Sequence, residues 1–240
     1  MDPILGQYLI RSGEQRYRLE PQPGEHRGVA AVRSLLIKFK GIEIQDEAVK
    51  EKAASVLQDF LAGHTGDPDT VGAYIDVAAF FAEANQVDEV KKAFLGATDP
   101  TRRLTLRSIL GSFGQTEAQA AALDLVFDES MPTSDLWFFF YSYGQQSEAS
   151  RHRLVSWLEE NYGELEERAL GLSITSIMHW NASGAYQSKL LERMNAFYGR
   201  LKDPDGEIES ALIEIQKTAR KARADRLRGR ESFDTFDKHH

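Results

Sequence analysis

The feature that most constrains this chain is a run of amphipathic segments separated by Asp-Pro turns. Gly66-Asp67-Pro68 and Thr98-Asp99-Pro100 recur about 32 residues apart, and Asp203-Pro204-Asp205-Gly206 repeats the device near the end. Aspartate can cap a helix, and proline suits the first helical position because its missing N–H would be unpaired there anyway. Each turn therefore predicts the end of one helix and the start of the next. The stripe Ala53, Val56, Leu57, Phe60 and Leu61 traces one face of a 3.6-residue helix. A helix from about 28 to 40 precedes it, carrying Val32, Leu35, Leu36 and Phe39. After Pro68, Val71, Tyr74, Ile75, Ala78 and Ala79 form a buried face. After Pro100, Leu104, Ile109 and Leu110 do the same until Gly111 or Gly114. Further segments fall near 116–127, 135–143, 148–162, 164–180 and 184–200. Strict apolar/polar alternation is nearly absent, which argues against strands.

Helix pairs recurring at 30–40 residues describe an α-solenoid, in which each pair buries one face on its neighbours. No tetratricopeptide or ankyrin consensus is present, and a compact helical bundle is the other reading. The expected organisation is an irregular lead-in over 1–27, where Tyr8, Leu9 and Ile10 could dock on the body. A helical-repeat body follows over 28–202, then a final helix over 203–230 and a flexible tail over 231–240.

The formal charge of −8 is uneven: Glu214 to Arg230 carry +5, so the remainder carries −13. An acidic body argues against a nucleic-acid groove there. The basic end, Lys217 to Arg230, has two readings: favourable charge at a helix C-terminus, or contact with an anionic surface. No run approaches 18 apolar residues, so no transmembrane helix is expected. Met1-Asp2-Pro3-Ile4, with no basic flank followed by an apolar core, is not expected to begin a signal peptide, and the absence of cysteine fits a reducing compartment. The expected location is cytoplasmic.

The sequence carries little catalytic chemistry. The histidines are His26, His64, His152, His179, His239 and His240, and no internal pair has the i, i+4 spacing of a zinc helix. Phosphate-loop, dinucleotide-binding and serine-elbow motifs are absent. Glu159, Glu160, Glu164, Glu166 and Glu167 read as a solvated helix face rather than an acid/base pair. Asn181-Ala182-Ser183 matches a glycosylation sequon, read as chance. Two cationic sets stand out: Arg102, Arg103 and Arg107, and Arg151 and Arg153 around His152. They either solvate a helix, pair with acids, or hold an anion such as a peptide carboxylate. The aromatic run Leu136–Tyr143 covers all sides of a helix and predicts a core element, or rings lining a groove or partner interface.

Four stretches carry a resemblance. They are Val32-Arg33-Ser34-Leu35-Leu36; Asp99-Pro100 with Leu104 and Ile109-Leu110-Gly111; Arg153-Leu154-Val155-Ser156-Trp157-Leu158-Glu159-Glu160-Asn161-Tyr162; and Met194-Asn195-Ala196-Phe197-Tyr198. In order and spacing they resemble the C-terminal helical domain of zinc aminopeptidases of the aminopeptidase N and puromycin-sensitive type. The Trp157–Asn161 stretch is the most specific, and about two-thirds of the chain is covered. The resemblance implies an all-α, HEAT-like solenoid that encloses a peptide-substrate chamber and contacts the peptide's distal end. It implies no catalysis by this chain, since the H-E-x-x-H and G-x-M-E-N motifs belong to an upstream domain and are absent here. No cofactor is then expected, because zinc would belong to that separate catalytic domain. The expected partner is a peptide or that catalytic domain, with no membrane or nucleic acid. A free-standing scaffold binding a protein or peptide is the alternative.

Overall fold

The computed structural model describes residues 19–21, 24, 27–68, 70–167, 173–182 and 188–237. Tyr8, Leu9, Ile10, His26, Ser183, His239 and His240 lie outside the described residues. The fold is all-α, with no strand among the described residues. No described helix is long and apolar enough to cross a membrane. The chain divides into two compact units, Met1–Ala122 and Leu123–His240.

The first unit begins with α1 (Arg27–Lys38), which widens into a π-helical turn, Phe39–Ile44. Gln45 ends that turn with φ 58°, and Asp46 caps α2 (Glu47–Leu61) by accepting the Val49 N–H at 3.1 Å. Then come α3 (Val71–Phe81), α4 (Ala84–Gly96), α5 (Pro100–Leu110) and most of α6 (Thr116–Asp124). The core is built from Ile37, Val49, Ala53, Ala73, Tyr74 and Val77, with Leu19, Val56 and Phe81 packed against it. These side chains recur at helical spacing on α1, α2 and α3, so burying them fastens three helices at once.

The Asp-Pro turns behave differently from one another. Asp99 caps α5 with Pro100 at its first position, and its carboxylate accepts the Arg102 N–H at 2.7 Å. Asp67 does not cap α3. Its main-chain carbonyl accepts the Thr70 and Val71 N–H groups at 3.1 and 2.8 Å, and the helix starts at Val71 with Thr70 as N-cap. Asp203 accepts the Ile208 and Glu209 N–H groups at 3.1 and 2.9 Å. Those contacts hold its carboxyl below the usual carboxylate range, the Glu209 bond contributing most.

Other expectations shift in detail. Leu104 is 52% exposed and Leu35 is also exposed, while Leu106, Ile37 and Leu36 carry the buried faces. Leu36, Phe39, Ile109 and Leu110 are buried as expected, so both faces hold and only Leu35 and Leu104 turn outward. Helix α4 has no counterpart among the expected segments. It opens where Gln86 Oε1 accepts the Glu83 N–H at 3.0 Å.

The second unit contains a 3-10 turn (Leu125–Phe127), α7 (Thr133–Gln145), α8 (Glu148–Glu167), α9 (Ile174–Ala182), α10 (Ser188–Tyr198) and α11 (Glu207–Asp237). The expected single segment over 164–180 is divided between α8, which ends at Glu167, and α9, which begins at Ile174. Helix α11 continues past 230 to Asp237. Within this unit α9 packs on α7 and α11, and α8 on α7 and α10. The α7–α9 contact is close: a Cβ placed at Gly144 would lie 2.5 Å from the Trp180 carbonyl oxygen.

Two of the family-like stretches meet in this unit. Trp157 of α8 is 6% exposed, stacks on Phe127 at 5.4 Å and donates Nε1–H to Asp124 at 2.9 Å. One turn on, Tyr162 meets Phe197 of α10 edge to face at 6.1 Å, and Phe197 lies 4.8 Å from Tyr198. The spacing of Trp157 and Tyr162 thus places one ring against the 3-10 turn and the other against α10.

Candidate functional site

The cationic residues of α5 sit in its first turns because the Asp99 cap fixes the register there. Arg102 reaches back to the end of α2. Its Nη1 donates to the Phe60 carbonyl at 2.7 Å and its Nη2 to the Leu61 carbonyl at 3.0 Å. The guanidinium also lies 5.0 Å from the Phe60 ring centroid. Arg103 repeats the arrangement on α4, donating to the Phe94 carbonyl at 3.2 Å with its guanidinium 4.0 Å from the Phe94 ring centroid. The last carbonyls of a helix carry its negative dipole end, so a guanidinium placed there is favoured twice, by charge and by hydrogen bonding. Arg102 and Arg103 therefore fasten two helix ends to α5. Arg107, one turn beyond Arg103, is half-buried.

The second set belongs to the other unit. Arg151, largely buried at the start of α8, donates Nε–H to the Gly144 carbonyl at 2.9 Å. The Ser150 hydroxyl donates to the Tyr143 carbonyl at 3.3 Å beside it. Together they satisfy the end of α7. Arg153 is half-buried. Arg102, Arg103 and Arg107 are thus brought together on one helix, and Arg151 and Arg153 on another.

Sequence reasoning did not single out two further arginines. Arg193 of α10 donates to the His152 carbonyl at 3.2 Å and the Ser156 hydroxyl at 2.9 Å, and pairs with Glu159. Arg33 of α1 is fully buried. Arg33 lies three and four residues before Leu36 and Ile37, so the apolar spacing is the one available signal that its face turns inward. Nothing in the local sequence marks Arg193, whose partners lie 34 to 41 residues away.

The aromatic run divides by face. Leu136, Phe139, Phe140 and Tyr143 are core residues. On the other side Trp137, Phe138 and Tyr141 cluster with Trp180 of α9, with ring centroids 5.8 Å apart for Trp137–Trp180 and 6.0 Å for Tyr141–Trp180. Tyr141 is 40% exposed. The core and the surface readings of this run both apply, to different residues.

Among the described residues no group of three or more His, Asp or Glu side chains is placed to hold a metal ion. The groups whose ionisation is displaced move away from neutrality. Burial pushes the Tyr74, Tyr162 and Tyr198 phenols up, helped by Glu20 for Tyr74 and Glu166 for Tyr162, while Asp203 moves down. A general acid or base works best near the operating pH, and none of these four shifts brings a group toward it.

Comparison with curated proteins gives no match. The family model for the ERAP1-like C-terminal domain matches residues 5–220, which include every helix from α1 to α10 and the first part of α11. With that match over most of its length, the chain belongs to the ERAP1-like C-terminal domain family, the non-catalytic C-terminal part of aminopeptidases.

Proposed function

We propose that this chain forms part of the wall of a peptide chamber, closing over a zinc-bearing catalytic domain and contacting the far end of the bound peptide. The family match over residues 5–220 carries this reading. The hydrolytic water, its zinc and its carboxylate base then belong to the catalytic partner, and this chain supplies binding and enclosure. Its helix pairs act as HEAT-like units of a solenoid working in the cytoplasm.

In this reading the arginines of α5 receive the peptide carboxylate, with Arg151 and Arg153 as the second candidate set. Arg102 engages two of its five N–H donors with the Phe60 and Leu61 carbonyls, which fixes its guanidinium and leaves donors for an anion. Calorimetry with peptides bearing free or amidated C-termini tests the assignment. The free carboxylate should bind more tightly, and the difference should shrink at high salt. Equal binding of the two peptides contradicts it.

The surface rings Trp137, Phe138, Tyr141 and Trp180 favour a second reading, a scaffold that binds a protein partner. Tryptophan and tyrosine dominate interface hot spots. Tyr141→Ala separates the two. It should abolish protein capture by a scaffold and leave discrimination between free and amidated peptides intact.

A further inference from the structure

Three buried polar atoms in the second unit have no hydrogen-bond partner among the described residues. They are Oδ1 and Nδ2 of Asn181, in the last turn of α9, and the phenol oxygen of Tyr198, at the end of α10. Both side chains are 0% exposed, and all three atoms are sealed from solvent. The other deeply buried residues of the two helices are apolar: Ile177 and Met178 on α9, Leu190 and Met194 on α10. A buried amide or hydroxyl without a partner is costly, and native cores rarely tolerate one. Here three such atoms belong to two neighbouring side chains.

The amide lies beside the phenol. Burial raises the ionisation of Tyr198, and the Asn181 side chain offsets part of that rise. Yet the two groups do not meet the distance and angle of a hydrogen bond. Helices α9 and α10 each pack on α8 and α11, and touch each other less than they touch those neighbours. The amide and the phenol therefore sit where two helices meet mainly through side chains.

The chemistry of the three atoms selects what can join them. Asn181 Oδ1 only accepts, Nδ2 only donates, and the phenol does both. A cation would leave the amide N–H groups stranded, and an anion would leave Oδ1 stranded. Because the atoms are sealed, the occupant must also be small. Water both donates and accepts, and a buried water takes two to four polar partners.

We propose that Asn181 and Tyr198 form a binding site for one internal water, which bridges α9 to α10. Asn181 then serves the interior. Its amide nitrogen, the atom a glycan would join, is withdrawn from modification in the folded chain. The assignment rests on the second unit alone and is independent of the chamber reading.

Two measurements on the full chain test it. A high-resolution crystal structure should show one ordered water within about 2.5–3.2 Å of the Tyr198 phenol oxygen and of an Asn181 amide atom. Tyr198→Phe keeps the ring and removes only the hydroxyl. It should lower the melting temperature by about 2–4 °C, the shift for one lost hydrogen bond in a chain of this length. A direct Asn181–Tyr198 hydrogen bond in the crystal, or no density between the two groups, would overturn the proposal. So would an unchanged or raised melting temperature for Tyr198→Phe, the result expected when a dry, unpartnered hydroxyl is removed.

Discussion

Trp157 is held at three points: Phe127 stacks on it, Phe140 lies 5.9 Å away, and Asp124 accepts its indole N–H. Trp157→Ala should cost about 3–5 kcal/mol in urea unfolding, the range for deleting a buried large aromatic. Trp157→Phe should cost clearly less, because it keeps ring contact and loses a hydrogen bond to an exposed carboxylate. Equal losses would show that the ring contacts do not dominate. Asp203 supports a pH prediction. Its carboxyl titrates lower in the folded state than its ordinary 3.8, so its contribution is complete above that value. The contribution is lost as pH falls through the lowered folded value. Asp203→Ala should therefore lower the melting temperature at pH 7, and the gap should close in acid below pH 3.8. A gap independent of pH would mean that ionised Asp203 does not hold the start of α11. At this scale the sequence reveals residue types well and their facing partners poorly. Arg102 reads as a cation on a helix, yet the carbonyls it holds are 41 and 42 residues earlier, and no local pattern encodes that meeting.

Helices differ in how much of their definition is local. Helix α5 is legible because the aspartate cap and the proline both lie in its own sequence. Helix α3 misleads because the same dipeptide before it forms a turn through a main-chain carbonyl, which side-chain identity does not determine. Helix α4 is poorly marked in sequence, because its opening pair, Glu83 and Gln86, is a weak signal beside the Asp-Pro turns. Leu104 and Leu106 show the limit of periodicity in a short helix: two leucines two residues apart satisfy either phase until a neighbour selects one. Glycine offers a paired test of packing against propensity. Gly144 and Gly163 both lie inside helices, where alanine is intrinsically favoured by about 1 kcal/mol. At Gly163 a Cβ meets nothing within 4 Å, so Gly163→Ala should stabilise. At Gly144 it meets the Trp180 backbone at 2.5 and 2.6 Å, atoms that cannot rotate aside. Gly144→Ala should destabilise by about 1–3 kcal/mol despite the propensity gain. Chemical melts of the two variants should shift in opposite directions, and shifts of the same sign would contradict the close α7–α9 approach.

For the molecule as a whole, the sequence made the helical class legible because apolar spacing and helix-stop signals recur along almost the entire chain. The family was legible through stretches whose roles the structure explains. Trp157 and Tyr162 must reach two different neighbours from one helix, and Asp99-Pro100 must set the register that aims Arg102 and Arg103 at helix ends. The two cationic sets were legible as residues on helices, but their roles as clamps on helix ends were not, because the carbonyls that hold Arg102, Arg103 and Arg151 belong to other helices. The most direct measurement mixes the purified chain with a zinc-aminopeptidase catalytic domain lacking its own C-terminal domain, and follows complex formation together with hydrolysis of a leucyl arylamide and of longer peptides. A non-catalytic chamber wall should show no turnover alone, form a complex with the catalytic domain, and change its rates on longer peptides more than on the arylamide. Turnover by the chain alone, or no complex and no change in peptide hydrolysis, would contradict that role.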